Sequence, residues 1–92
     1  MYRACSHIRT SYQRDGAIVL DVMRGKMFGL NTVGSKMLQL LEAGRDLPSI
    51  ASEMSCDFGI CEDAIRQDLQ EFVVGLVQWR LIEPVTGETD DV

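Results

Sequence analysis

Few residues of this 92-residue chain are of types that do covalent or acid–base chemistry, and their spacing works against it. Cys5 and His7, the sole histidine, lie two positions apart near the start, with no third group at a spacing that would orient the imidazole as a base. Cys56 and Cys61 are separated by four residues, not the two typical of metal knuckles and redox pairs. Three cysteines is also an odd number for a disulfide framework, so they read as reduced thiols. The acid pairs Asp57 with Glu62 and Asp90 with Asp91 fall in a connection and in a tail, where nothing frames a cleft for proton transfer. No catalytic residue, metal site or cofactor is expected, and the chain reads as a module that works by binding.

Composition narrows the class. A chain this short folds as one domain with a modest core and little room for an enclosed active-site cavity. With 46% hydrophobic and 25% charged residues it has the balance of a soluble globular protein. No apolar run approaches the roughly 20 residues of a membrane span, and the first residues lack the apolar segment of a secretory signal, so a cytoplasmic location is expected. The net charge of −5 argues against a protein whose affinity rests on neutralising phosphates. The charge is uneven: residues 1 to 36 carry six of the nine Lys and Arg against Asp15 and Asp21 alone, a local positive field suited to an acidic peptide.

The elements that must position a binding surface follow from periodicity. Residues 7 to 14 alternate as a first strand, with Ile8, Thr10 and Tyr12 on one side. Asp15-Gly16 is a two-residue hairpin signal, since both central positions of the favoured turn require positive φ. Ala17 to Met23 alternate as a second strand, with Ile18, Leu20 and Val22 on one face and Val19, Asp21 and Met23 on the other. After a turn at Arg24-Gly25-Lys26, Met27 to Leu30 form a third strand whose far edge is left open and whose Gly29 lets another backbone approach. The period then changes to that of a helix. Asn31 or Thr32 caps a helix with the stripe Val33, Met37, Leu40 and Leu41, which Gly44 ends. Asp46 caps a second, short helix on Leu47, Ile50, Ala51 and Met54, and residues 55 to 60 read as a connection. The longest helix runs from about Glu62 to Gln78 on Ile65, Leu69, Phe72 and Leu76, flanked by Val73 and Val77 on one side and by Asp68, Gly75 and Trp79 on the other. The end is acidic and aperiodic. The expectation is an α+β domain over residues 1–83, a three-stranded antiparallel sheet followed by three helices in a winged helix-turn-helix-like arrangement, with a disordered tail over 84–92.

The run DGAIVLDVMRGKMFGLNTVGSKMLQLLEAG, then LPSIASEM, then LVQWRLIEP, resembles the family of pyrroloquinoline quinone synthesis protein D, also called RiPP recognition elements. The features that carry the likeness are the strand pair before Gly25-Lys26, the Phe28-Gly29-Leu30-Asn31 passage into the first helix, the Met37 to Leu41 register and the terminal Leu81-Ile82-Glu83. The resemblance implies a protein that binds the leader segment of a ribosomally made precursor peptide and presents it to a modifying enzyme. The leader would join the third strand as an extra antiparallel strand, between Met27, Phe28, Gly29 and Leu30 on one side and Ile65, Asp68, Leu69 and Phe72 of the third helix on the other. Phe28, Leu30 and Leu69 also read as core residues, whereas Met27, facing away from Phe28, suits direct contact. The partner enzyme implied is a leader protease, as in lasso-peptide clusters, or a radical SAM maturase.

Two rivals stand beside this reading. A winged-helix DNA-binding regulator has the same parts, but its third helix would here carry Glu62, Asp63, Asp68 and Glu71 against one Arg66. An open strand edge is also a template for a second copy of the chain, which makes a homodimer a competing use of the same surface. No nucleic acid and no membrane partner is expected.

Overall fold

The computed structural model describes residues 2–84; of the disordered tail expected over 84–92, Pro84 instead pairs with Tyr2 in a strand, and residues 85–92 lie outside the described residues. In chain order the elements are β1 (Tyr2–Ala4), β2 (Ile8–Gln13), β3 (Gly16–Asp21), β4 (Lys26–Leu30), α1 (Thr32–Glu42), α2 (Leu47–Phe58), α3 (Glu62–Gln78) and β5 (Ile82–Pro84). Strands β2, β3 and β4 form an antiparallel meander in that order, and β1 pairs antiparallel with β5 in a separate two-stranded sheet. This is the α+β arrangement expected, with one addition.

The addition is the β1–β5 pair. Three-residue strands carry no readable periodicity, and these two meet across nearly the whole chain. Arg3 Nε donates to Glu83 at 2.8 Å, and the amide of Cys5 donates to the carbonyl of Leu81 at 3.1 Å. Leu81 and Ile82 are buried, so the closure joins the terminal strands to the core. The turn that delivers β5 is built at the end of α3. Arg80 takes the left-handed conformation at φ 59, while the amides of Arg80 and Leu81 bond to the carbonyls of Val77 and Leu76.

Both hairpin turns sit differently from the sequence expectation. Gln13 pairs with Gly16, so Arg14 and Asp15 occupy the turn and Gly16 opens β3. Glycine is required there for another reason. At φ 155 a Cβ would lie 2.0 Å from the Leu30 carbonyl oxygen, so only a bare backbone can pass the end of β4 so closely. The second strand ends at Asp21 instead of Met23, because the Asp21 carboxylate closes the next turn by accepting the amides of Met23 and Arg24 at 3.1 and 3.0 Å. Asp21 is 1% exposed; those two bonds, with Arg24 Nε at 3.8 Å and His7 Nε2 at 3.9 Å, offset the desolvation of its charge. These contacts allow the Asp21 face of the sheet to be the inner one. Ala17, Val19 and Asp21 point inward, and the more apolar Ile18 and Leu20 are left 36% exposed.

The helices cover the inner face. Asn31 caps α1 by accepting the Gly34 amide at 2.8 Å, and Asp46 caps α2 by accepting the Ser49 amide at 2.9 Å. Residues 55 to 58, expected in a connection, form the last turn of α2. Gly59 ends it in the left-handed conformation at φ 66, and Ser55 Oγ donates to the Ile60 carbonyl at 2.6 Å. Ile50, Met54, Ile65 and Leu69 form the centre of the core with Val19 and Leu41. In α3 the buried row is Ile65, Leu69, Val73 and Leu76; Phe72, expected in that row, is only half-buried and stands one row over.

Candidate functional site

The strand order leaves β4 at the edge of the meander, and α1 follows it after a single capping residue. The chain therefore turns away from the sheet directly beside the open edge, and α3 packs across from it. Between them runs a groove of about 320 Å³, lined by Gly29 and Leu30 of β4, the cap residue Asn31, Gly34 of α1, and Asp68 and Phe72 of α3.

Its shape rests on two contacts. At the α1 end the Phe72 ring lies over the first helical turn, where a Cβ added at Gly34 would make ordinary contact with Asn31 Oδ1 at 3.4 Å, Phe72 Cε1 at 3.6 Å and Leu30 Cβ at 3.7 Å. Toward the start of β4, the rings of Phe28 and Trp79 meet edge to face, with centroids 5.4 Å apart at 61°. Lys26 Nζ lies 5.3 Å from the centre of the Trp79 ring, a cation–π arrangement. Arg24 also reaches this end, its guanidinium donating to the Trp79 carbonyl at 3.5 Å.

Of the eight residues expected to contact a peptide, Gly29, Leu30, Asp68 and Phe72 line the groove. Phe28 is half-buried against Trp79, and Met27, 68% exposed, stands on the opposite face of the sheet beside Leu20. Ile65 and Leu69 are 1% and 0% exposed; they support the helix wall from behind and do not line it. Helical spacing explains the split. Positions 65, 69, 73 and 76 form the row facing the core, while 68, 72 and 79 follow the adjacent row toward β4. Asn31, Val33, Gly34 and Met37 also line the groove, and Lys26 and Trp79 meet beyond it, toward the start of β4; none of these six was expected to contact a peptide. The sequence pattern does set Trp79 on the Asp68 flank of the third helix, the side that turns toward β4.

A second hollow, of about 310 Å³, holds Cys5 and His7 with Arg80 and Glu83. Here the fold brings Asp21 to His7, the third group that local spacing lacked, yet at 3.9 Å the contact is longer than a hydrogen bond. Burial, then the charge of Glu83, pushes the Cys5 thiol up, the opposite of an activated nucleophile. Cys56 and Cys61 are exposed free thiols. Among the described residues no group of three or more His, Cys, Asp or Glu is placed to hold a metal ion, and no helix is long and apolar enough to cross a membrane.

An antiparallel meander with an open last edge, three helices behind it and a groove along that edge define a small α+β domain built around an edge-strand site. The sequence matches coenzyme PQQ synthesis protein D (PqqD) over residues 16–82, most of the chain, and the protein belongs to that family. The family likeness read from the Phe28 to Asn31 passage and the helix registers is thereby borne out. Two solved structures share the fold. TbiB1 in complex with the TbiA(beta) leader peptide is 24% identical, with a TM-score of 0.82 over 91% of this chain and 98% of that one. Lasso peptide synthetase B1 complexed with the leader peptide is 19% identical, with a TM-score of 0.83 over 90% of this chain and 98% of that one. Comparison with curated proteins gives no match.

Proposed function

We propose that the protein is a non-catalytic RiPP recognition element of the cytoplasm. It binds the leader segment of a ribosomally synthesised precursor by taking it as an antiparallel strand on β4, and presents that precursor to a modifying enzyme, a leader protease of a lasso-peptide pathway or a radical SAM maturase. The observation that carries this reading is that β4 is an edge strand with a groove beside it, walled by Asp68 and Phe72. Such an edge offers main-chain donors and acceptors in register, and the groove offers pockets for alternate side chains. Each hydrogen bond so formed contributes about 0.5–1.5 kcal/mol net, which over four or five residues offsets part of the cost of association and leaves the rest to the side-chain pockets. The leader peptides bound to the two structural relatives support the same assignment.

The DNA-binding alternative is disfavoured by the charge on α3. Its Arg66 is already held by Glu62 at 3.1 Å and Asp63 at 3.6 Å, which leaves no free cation on the helix for phosphates.

Titrating isotopically labelled protein with leaders of precursors encoded beside its own gene tests the proposal. Saturable amide shifts concentrated at Lys26 to Leu30 and along Asp68 to Phe72 are expected. Absence of shifts with every neighbouring leader, or retention on heparin at low salt, would sink it in favour of self-association or nucleic-acid binding.

A further inference from the structure

We infer that the groove and its continuation to the Lys26–Trp79 contact read charge at their two ends, so that the leader carries a cationic side chain at position i, an apolar one at i+2 and an acidic one at i+4. This deepens the strand-addition reading and rests on it.

Residues two apart on a strand share a face. The pairing of Lys26 with Asp21, Phe28 with Val19 and Leu30 with Ala17 places Lys26, Phe28 and Leu30 on the inner side of β4, toward α3. The two ends of this row differ in chemistry. At the Leu30 end α3 supplies Asp68, exposed and without an ion pair among the described residues. At the other end Lys26 stands over the Trp79 ring, also without a carboxylate partner among the described residues, with Arg24 beside it. The middle is apolar, formed by Phe28 and Trp79.

A strand added antiparallel to β4 starts at the Leu30 end and finishes at the Lys26 end, and directly opposed residues project to the same face. Its first inward residue therefore meets Asp68, and the inward residue four positions later meets Lys26. Four residues span about 13–14 Å, beyond the roughly 8 Å screening length at physiological salt, so each end selects its charge independently. A parallel strand would present the reverse order, so the same two residues also select strand direction.

The test uses the synthetic leader of a precursor encoded beside this chain's own gene, its register on β4 located by intermolecular nuclear Overhauser contacts. It is made in two versions, with Lys then Glu, or Glu then Lys, at the two outer inward-facing positions. Calorimetric titration of the wild-type protein at low salt is expected to favour the Lys-first version on the order of tenfold, the product of two exposed pairs each made attractive or repulsive. The Lys26→Glu/Asp68→Lys double variant, whose unchanged thermal melt shows it folded, is expected to invert that order, and high salt to erase it. Equal affinities for both versions, with amide shifts at Lys26 to Leu30 intact, would overturn the charge reading and leave leader capture standing. An unchanged preference in the double variant would overturn it too. Loss of all shifts with every leader would remove both.

Discussion

Replacing Gly16 with Ala tests the close passage of β3 over the end of β4, on which the groove's shape depends. The new Cβ would begin 2.0 Å from the Leu30 carbonyl oxygen, and real Cβ atoms do not approach below 3.0 Å, so the backbone at Leu30 or at Gly16 must yield by an ångström. The obstacle is backbone, not the tip of a flexible side chain, and Leu30 adjoins the Asn31 cap, so relaxation there also disturbs the start of α1. An L side chain at such a φ costs about 1–3 kcal/mol, and forced displacement in a packed region costs about another 1–3 kcal/mol. A loss of roughly 2–6 kcal/mol is therefore expected. For a domain of this size that lowers the melting temperature by at least about 8 °C, at about 4–8 °C per kcal/mol. The assay is thermal and urea unfolding followed by circular dichroism, with Gly75→Ala as the matched control. A Cβ at Gly75 meets open space, so there the helix gains up to about 1 kcal/mol. If Gly16→Ala melts within a few degrees of wild type, the close passage at Leu30 is wrong, and with it the geometry of the groove floor.

Gly34→Leu fills the space between Leu30 and Phe72, and should weaken leader binding by about tenfold or more while shifting the melt by only a few degrees; calorimetric titration beside a melt separates the two. Burial, then the Glu42 carboxylate that accepts its hydroxyl, raises the Tyr12 phenol. Its contribution to stability is complete below the unfolded value near 10 and is lost as pH rises through the higher folded value; a Tyr12→Phe variant should lack that alkaline decline in urea midpoint. Cys5, with its thiol pushed up, should alkylate more slowly at pH 8 than the exposed Cys56 and Cys61, as peptide mass mapping would show; equal rates would contradict its burial.

What the sequence alone determined is what depends on neighbours a few residues away. Asn31 and Asp46 cap their helices by bonding amides three positions on, α3 spans Glu62–Gln78 as its periodicity predicts, and the meander follows its alternation. The open edge of β4 was legible from that order, whereas its use by a peptide was implied only by the family resemblance. Tertiary structure decided whatever turns on which of two equivalent faces is buried, because burial is a property of the assembled chain. The Val19 face of β3 is the buried one, and Asp21 is tolerated on it because two amides and two cationic or basic neighbours meet its carboxylate in the folded molecule. Ile65 and Leu69 were claimed by the core, and their row left Asp68, Phe72 and Trp79 to face β4. The β1–β5 closure joins residues 80 positions apart, a distance over which three-residue strands leave no local trace.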